Sequence, residues 1–378
     1  MTGATPAAPD RISAQAPQHA PPAAPRPTYD RLPSLTGLRW LAAFMVFGFH
    51  MGTLDVLGTS AWHRRWDLVF GQGASGVSFF FILSGFVLVW AARPGDGKRA
   101  FWQRRLAKIY PNHVVTWALV IAVTLAWGAS VSRRAALANL ALIHPWLLHG
   151  PYLYSINTVS WSLGCEAFFY ACFPFGLLLL RRMRPAVLAA TAVLLATVLY
   201  EAPILMAPHF APTTMYWFTY MCPLFRSLEF WLGAAVGQLV VTRAYRGPGL
   251  WTSTALVLAV YAGNRWIPVQ YWNLDLDVVF VLLIAAAAGA DLGGARSPWR
   301  YRPLVWLGEV SFAFYMVHVQ LVMNVMRLIG RTGSGWHGTA MPLALLVLLG
   351  GAVLTAWLLY RAVEVPMTRR LRPRSTAR

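Results

Sequence analysis

Two long stretches without any Asp, Glu, Lys or Arg restrict the folds open to this chain more than any other feature. Positions 68–92 and 336–360 each run for 25 residues without such a charge. About 20 apolar residues in a helix cross the roughly 30 Å hydrocarbon core of a bilayer. Only 12 % of the residues are charged and 57 % are hydrophobic, whereas soluble domains carry about 25 % charge. The sequence therefore predicts an all-α, polytopic transmembrane helical bundle.

Apolar segments that end in charged residues predict about ten spans. These spans are 37–56, 70–91, 110–129, 162–180, 185–205, 217–241, 250–266, 275–292, 303–326 and 341–361. The apolar segment 135–148 is short and contains Pro145, so it is predicted to be interfacial or re-entrant and not a crossing. Residues 1–33 hold eight prolines and no apolar core of a signal peptide, which predicts a disordered cytoplasmic tail. The transmembrane domain would then cover 34–371, and a basic tail would cover 372–378.

The distribution of basic residues predicts the orientation of the chain. With the N-terminus in the cytoplasm, 24 of the 32 Lys and Arg residues fall on the cytoplasmic side, 6 fall outside and the remaining two lie within spans. Membrane proteins carry such an excess in their cytoplasmic loops. Both termini are therefore predicted to be cytoplasmic, in a multi-pass protein of the cell membrane. Topology and contact with anionic lipid headgroups account for the net charge of +19, so no nucleic-acid partner is predicted.

No pattern in the sequence predicts a bound metal or cofactor. The three cysteines, Cys165, Cys172 and Cys222, lie in apolar segments and form no CxxC pair. Neither a disulfide framework nor a zinc site is therefore indicated. The internal repeats that many transporters contain are not visible either.

Ionisable side chains within the predicted spans are the first candidates for function, because each costs about 2.5–3.5 kcal/mol on insertion scales. Six of them are taken as candidates: His50, Glu166, Arg226, Glu229, Glu309 and His318. At 1.5 Å per helical residue, His50 lies about 16 Å outward from Arg39, and His318 lies about 22 Å from the inner face. By the same measure Arg226 lies about 13 Å below the outer face, and Glu166 about one turn into its span. A carboxylate beside a histidine at this level would raise its basicity, as general-base catalysis requires.

Each of these residues also has a purely structural explanation. An intramembrane histidine such as His318 often makes only an interhelical hydrogen bond. Arg226 and Glu229 are three residues apart on one helix and could neutralise each other. Glu309, near the inner face, could pair with a cytoplasmic arginine.

Three cations at the cytoplasmic ends of two predicted spans form a second candidate site. Arg39 opens the first span, while Arg105 and Lys108 are three residues apart and share a face of the third. Converging guanidinium and ammonium groups suit a phosphorylated donor. Ordinary positive-inside charge is the alternative explanation.

Sequence motifs along most of the chain resemble the acyltransferase-3 family of membrane O-acyltransferases. The segment LTGLRWLAAFMVFGFH contains that family's spacing of a basic residue, ten residues and a histidine, here Arg39 and His50. Further similar segments follow in family order: GVSFFFILSGFVL, RRLAKIYP, SWSLGCEAFFY, PLFRSLEFWLGAAVG, SFAFYMVHVQLV and EVPMTRRLR. The resemblance runs from Leu35 to about 371. Two positions depart from it, since Lys108 stands in place of a second arginine and Ser78 stands where many members have aspartate.

The resemblance implies that an acyl group passes from cytoplasmic acyl-CoA, such as acetyl-CoA, through the membrane interior to a hydroxyl of a sugar-containing acceptor. The acyl-CoA would be a co-substrate, with no bound cofactor. Carried over by motif, the catalytic residues are His50 and Glu166, the donor-binding residues are Arg39, Arg105 and Lys108, and the supporting residues are Arg226, Glu229 and His318. The phosphates of the donor would then bind inside, and the acid–base groups would lie further out.

The resemblance leaves more than one acceptor open. Stand-alone members with an opening like RLPSLTGLRW resemble actinobacterial enzymes that acylate macrolide antibiotics. This favours a macrolide or another glycosylated natural product as the acceptor. The second possibility is cell-envelope polysaccharide, but family members that acylate it often carry an extra soluble domain. A proton-coupled transporter that uses His50, Glu166 and His318 as a relay is the alternative from another class. The acyl chain length, the acylated position and the oligomeric state are not predicted.

Overall fold

Helices are the only regular structure in the residues that the computed structural model describes. Those residues are 3, 32–58, 61–92, 95, 97–148, 150–266, 275–331, 335–336 and 340–371. In chain order the helices are α1 (Pro33–Thr53), α2 (Ala61–Phe70), α3 (Gly76–Ala91), α4 (Lys98–Ala126), α5 (Arg133–Leu140), α6 (Trp161–Leu180), α7 (Pro185–Met206), α8 (Pro212–Tyr216), α9 (Pro223–Val241), α10 (Leu250–Gly263), α11 (Leu276–Leu292), α12 (Arg302–Leu328), α13 (Ala340–Leu359) and α14 (Val365–Leu371). The all-α prediction is confirmed for this part of the chain. Most of the predicted tail 1–33 and all of 372–378 lie outside the described residues.

Seven helical segments of the described chain are long and apolar enough to cross a membrane. They are His63–Ala91, Lys98–Ala126, Thr158–Leu180, Pro185–His209, Pro212–Val241, Arg302–Leu328 and Ala340–Leu371. The three other predicted spans, 37–56, 250–266 and 275–292, coincide with α1, α10 and α11, which are helical but shorter or less apolar than the seven. The chain is thus a polytopic helical membrane protein. The count of ten spans and the cytoplasmic position of both termini stay predictions.

Helix α5 lies in the segment predicted to be interfacial or re-entrant. It has 8 residues and is therefore about 12 Å long, far short of a bilayer crossing. Ala135, Ala136 and Asn139 are buried against the bundle, whereas Leu137 is 65 % exposed. A short helix that is buried on one side fits the prediction that this segment does not cross.

Apolar side chains cover the outer faces of α7 and α13. Val193, Leu194, Leu343 and Leu346 are each between 62 % and 66 % exposed. A soluble monomer rarely exposes large contiguous apolar patches. These faces therefore suit contact with lipid chains.

Two glycines allow the closest helix contacts in the bundle. A Cβ at Gly308 on α12 would lie 1.8 Å from the carbonyl oxygen of Thr36 on α1. A Cβ at Gly233 on α9 would lie 1.9 Å from the carbonyl oxygen of Ile82 on α3. Small residues let helix backbones approach in this way in membranes. The α1–α12 contact fixes the two helices that carry the central histidines.

Candidate active site

Two histidines from different helices meet inside the bundle. The contact joins His50 Nδ1, near the end of α1, to His318 Nε2 on α12 at 3.1 Å. His318 is fully buried and stacks on Phe314 with 5.5 Å between ring centroids, whereas His50 is half-buried. The sequence placed both residues at a similar depth, and the structure brings them into direct contact.

The hydrogen bonds of this pair assign the protons on both rings. His318 Nδ1 lies 2.9 Å from the carbonyl oxygen of Tyr315 and 3.1 Å from that of Phe314, so this nitrogen carries the hydrogen and donates it. His318 Nε2 therefore accepts from His50 Nδ1, which also lies 2.9 Å from the carbonyl oxygen of Val46. Because a neutral imidazole carries one ring hydrogen, His50 Nε2 keeps a lone pair. A general base needs this tautomer.

A cavity of about 990 Å³ is lined in part by His50. Its walls come from the end of α1, the start of α3, the segment before α6, the stretch from α7 to α9, and α12. Five aromatic residues with polar atoms contribute to them: Tyr154, Trp161, Tyr216, Tyr220 and Tyr315. Among the described lining residues none is Asp, Glu, Lys or Arg. Such walls suit an organic molecule that is mainly apolar and carries a few hydroxyl groups.

Three cations converge towards the other end of α1. Lys108 on α4 interacts electrostatically with Arg39 of α1 and with Arg105, one turn before it on its own helix. All three are half-buried. Within the described residues, no carboxylate forms an ion pair within 4.0 Å of any of them. Half-buried cations without a directly paired carboxylate can bind the phosphate groups of a ligand.

We call Arg39, Arg105 and Lys108 the cation cluster. Two carboxylates, Glu364 and Glu166, lie near it. Glu364, in the π-helical turn Tyr360–Glu364, is buried and accepts a hydrogen bond of 2.8 Å from Asn112 Nδ2 of α4. It attracts Lys108 and Arg39 electrostatically. The C-terminal segment therefore contributes an acidic group to the cation end of the site.

Glu166 lies near the cation cluster. Its Oε2 accepts a 3.0 Å hydrogen bond from the Tyr170 hydroxyl, and its electrostatic partners include Lys108, Arg39 and Arg105. The described hydrogen bonds of His50 go to Val46 and His318 instead. Glu166 also interacts electrostatically with Tyr315, which lines the cavity, so its place beside the reacting centre stays a prediction.

The segment before α6 decides where this helix, which carries Glu166, begins. That segment is folded into the bundle, as Asn157 and Ser160 are fully buried. Helix α6 therefore begins deep within the protein and not at an exposed loop. Glu166 follows five residues after Trp161, the first residue of α6.

Arg226 and Glu229 form a buried ion pair. This agrees with the structural explanation in which the two residues neutralise each other. The Arg226 Nη1 to Glu229 Oε1 distance is 2.7 Å, and Arg226 Nη2 donates to Ser78 Oγ at 3.1 Å. Asp277 of α11, also buried, interacts with Glu229. The Arg226 guanidinium lies 5.6 Å from the ring centroid of Tyr220, a cavity residue, but Arg226 does not line the cavity itself. This network supports the cavity wall and links α3, α9 and α11.

Several site residues escaped sequence reasoning. Asp277 falls at the predicted edge of a span, where an acid is unremarkable, and Glu364 follows the last predicted span. The cavity tyrosines belong to aromatic-rich stretches that are common at membrane interfaces. Glu309 is exposed on α12 and interacts electrostatically with Tyr360, which also interacts with Glu364 and Arg39. The described residues contain no group of three or more His, Cys, Asp or Glu that could hold a metal ion.

Comparisons with known proteins agree with this arrangement. The family model described as an acyltransferase domain matches residues 32–361. Acyltransferase MdmB of Streptomyces mycarofaciens is 37 % identical, over 93 % of this chain and 96 % of that protein. A putative peptidoglycan O-acetyltransferase, YrhL of Bacillus subtilis (strain 168), is 26 % identical over 77 % of this chain and 49 % of its own length. The exopolysaccharide production protein ExoZ of Rhizobium meliloti (strain 1021) is 25 % identical over 81 % and 92 %.

No solved structure matches this chain. The family model, however, covers most of the chain, and the Streptomyces relative extends over nearly all of both proteins. Together with the motifs that surround His50 and the cation cluster, these matches establish that the chain belongs to the acyltransferase-3 family.

Proposed function

We propose that this protein is a membrane O-acyltransferase that moves an acyl group from acyl-CoA to a hydroxyl of a sugar-containing acceptor. One observation carries the proposal. A single helix, α1, carries Arg39, which belongs to the cation cluster, and His50, which lines the cavity. These residues are 11 positions apart, which is about 16 Å along a helix. The extended pantetheine arm of acyl-CoA separates phosphates from thioester in the same manner.

The donor binds at the cation cluster in this proposal. Arg39, Arg105 and Lys108 hold the phosphates of cytoplasmic acyl-CoA, such as acetyl-CoA, by charge-assisted hydrogen bonds. Glu166 and Glu364 keep the three cations from repelling each other apart and orient their side chains. In this proposal Glu166 acts at the donor end of the site and not at the reacting centre. Acyl-CoA is a co-substrate here, not a resident cofactor.

The chemical step centres on His50 Nε2. This nitrogen takes the proton of the acceptor hydroxyl while the hydroxyl oxygen attacks the thioester carbonyl. The tetrahedral intermediate then collapses, the C–S bond breaks, and the CoA thiolate takes the proton from His50 Nε2. In the variant with a covalent intermediate, His50 Nε2 attacks the thioester, the C–S bond breaks and CoA leaves as the thiolate. The acceptor hydroxyl then attacks the acyl group, its proton passes to the CoA thiolate, and the bond between the acyl carbon and Nε2 breaks to restore neutral His50.

His318 is a positioning residue in both variants. Its Nε2 holds His50 in the tautomer with a free Nε2, and it stabilises the charge that His50 acquires when it takes a proton. Arg226 is less suited to stabilise an oxyanion, because its guanidinium is already bound to Glu229 and Ser78. Its role is to support the cavity wall through Tyr220.

The acceptor in this proposal is a macrolide or another glycosylated natural product. The cavity supports this choice, since it has the volume for one bulky molecule and uncharged, largely apolar and aromatic walls. The 37 % identity with the Streptomyces acyltransferase supports it further. Cell-envelope polysaccharide is the second candidate, favoured by the similarity to relatives named for peptidoglycan and exopolysaccharide. The alternative of another class, a proton-coupled transporter, rests on the intramembrane histidines alone.

The test is acyl transfer from radiolabelled acetyl-CoA in membranes that contain the wild type or His50→Ala. A macrolide glycoside and a wall polysaccharide are offered in turn. Label on the macrolide with the wild type only is the expected result, and label on the polysaccharide would select the second candidate. No label on any acceptor, together with proton-coupled flux in the same vesicles, would replace the enzyme with the transporter.

A further inference from the structure

Two tyrosines meet at the mouth of the cavity. Tyr154 lies in the segment before α6, Tyr216 ends α8, and their hydroxyl groups are hydrogen-bonded to each other. Both line the cavity, and they are 45 % and 46 % exposed, whereas the deeper lining residues Trp161 and Tyr315 are buried. Burial raises the pKa of the Tyr154 phenol, so it stays protonated and can donate. The pair therefore joins two distant parts of the chain at one part of the rim, where Phe210 and Met323 are also exposed.

The Tyr216 side of this bridge is rigid. The ring of Tyr216 stacks on Tyr220 with 5.3 Å between centroids and 22° between planes. Tyr220 in turn packs on Trp161 at 4.9 Å, and Trp161 is only 4 % exposed. The residues from Trp217 to Met221 form a π-helical turn, a feature that is frequent at functional sites.

The Tyr154 side carries a strained backbone residue. Ile156 has φ +58°, a conformation that β-branched side chains rarely adopt. Its carbonyl accepts a long hydrogen bond of 3.3 Å from Gln320. The next residue, Asn157, is fully buried and donates to the Met316 carbonyl at 2.9 Å. Hydrogen bonding and burial thus fix the segment at Asn157, and the residue directly before it, Ile156, has a strained backbone conformation. Such strain concentrates at ligand clamps and switches.

We propose that Tyr154 and Tyr216 form a hydrogen-bonded gate across the mouth of the cavity, and that this pair decides which acceptors reach His50. The inference rests on the proposed function, because it takes the cavity to be the acceptor site. The Tyr216 side chain stays in place when the gate opens. The segment that carries Tyr154 moves, and it turns at Ile156. A bulky acceptor enters only when the hydrogen bond is broken. A small hydroxyl compound passes beside the closed pair.

The first test measures selectivity with Tyr154→Phe and Tyr216→Phe. Each variant keeps the ring but removes one hydroxyl group, and Tyr301→Phe is the matched control on an exposed tyrosine outside the cavity. The acceptors are a macrolide glycoside and a methyl glycoside. The ratio of their kcat/KM values, bulky over small, should rise at least threefold in both gate variants and stay at the wild-type value in the control. A ratio equal to that of the wild type in both gate variants would overturn the gate.

The second test requires no turnover. Val319 lines the cavity and is 2 % exposed, so a Val319→Cys substitution places a thiol behind the gate. The extra label that a bulky maleimide adds, relative to the same protein without this substitution, should appear at least threefold faster when Tyr154→Phe or Tyr216→Phe is also present. Equal labelling rates with and without the gate substitutions would contradict the proposal.

The two tests separate failure of the gate from failure of the proposed function. Acyl transfer by the wild type with an unchanged selectivity ratio and unchanged labelling leaves the enzyme but removes the gate. Faster labelling in protein that transfers no acyl group to any acceptor leaves the gate but removes the acyltransferase assignment of this cavity.

Discussion

The two ends of α1 present opposite kinds of surface. At the cation end, Arg39 meets Arg105 and Lys108, and two carboxylates temper their charge. At the cavity end, His50 faces walls that are aromatic and aliphatic, without Asp, Glu, Lys or Arg among the described lining residues. A charged, hydrophilic co-substrate and a mainly apolar one would each find only one of these ends suitable. The comparison teaches that selectivity for donor and acceptor can be divided between the ends of one helix.

His50→Ala should break the comparison most severely. Loss of a general base costs about 10²–10⁴-fold in rate, so acyl transfer should fall by that factor at saturating donor and acceptor. Binding of acyl-CoA should be unchanged, because the cation cluster is intact. Transfer assays paired with equilibrium binding of labelled CoA measure both, and normal turnover in the variant would refute the assignment of His50. Protein level and membrane insertion serve as controls.

His318→Ala should have the next largest effect, at the lower end of the general-base range, about 10²-fold. The Nδ1–H of His50 then keeps only the Val46 carbonyl as an acceptor, so the ring is held less firmly and the positive charge that it acquires is less well stabilised. The loss should appear in kcat with an altered pH profile, and KM for acyl-CoA should stay constant.

His318→Gln provides the matched control for the same position. Its amide oxygen can accept from His50 Nδ1, so this variant should recover much of the rate. Equal losses in the alanine and glutamine variants would indicate that His318 serves only in packing.

Arg105→Gln should raise the KM for acyl-CoA about tenfold, the equivalent of roughly 1.4 kcal/mol. The physical reason is the loss of one charge-assisted hydrogen bond to a phosphate. The KM for the acceptor should not move. Arg182→Gln removes an equal charge from an exposed position next to α6 and is the control. If the control changes the KM for acyl-CoA as much, general positive charge and not the cluster attracts the donor.

Lys108→Arg should have the smallest effect, less than about threefold on the KM for acyl-CoA. The charge is retained, and the cluster acts on the donor through several cations at once. A steady-state titration of acyl-CoA detects the change. A KM for acyl-CoA that falls by tenfold or more would show that the wild-type lysine lacks a bidentate phosphate contact that arginine can make at this position.

The sequence predicted the cation end and His50 better than it predicted the cavity. Charged and imidazole side chains inside apolar segments stand out because they are costly there. Every predicted span coincides with a helix in the described residues, since spanning length and charged ends are strong local signals. The segment 135–148 was predicted not to cross because it is short and contains Pro145, and the 8-residue helix α5 fits that prediction.

The remaining features depend on long-range packing. Tyr154 and Tyr216 are 62 residues apart, and neither stands out in an aromatic-rich chain. The start of α6, and with it the position of Glu166, depends on the segment before that helix, which is held by buried polar contacts of Asn139 and Asn157. No local periodicity reports such contacts. Asp277 became relevant only because α11 packs beside Arg226 and Glu229.

The hydrogen bonds of His318 have a consequence for the energised membrane. Its Nδ1–H ends on the backbone carbonyls of Phe314 and Tyr315, and in the described residues no titratable group continues the chain of donors beyond them. His50 therefore exchanges protons through one nitrogen only, on the side of the cavity. A histidine pair deep in a bilayer could conduct protons and dissipate the electrochemical gradient. In the proposed function, His50 would take and return a proton in each cycle on the cavity side, and no proton would cross the membrane through this pair.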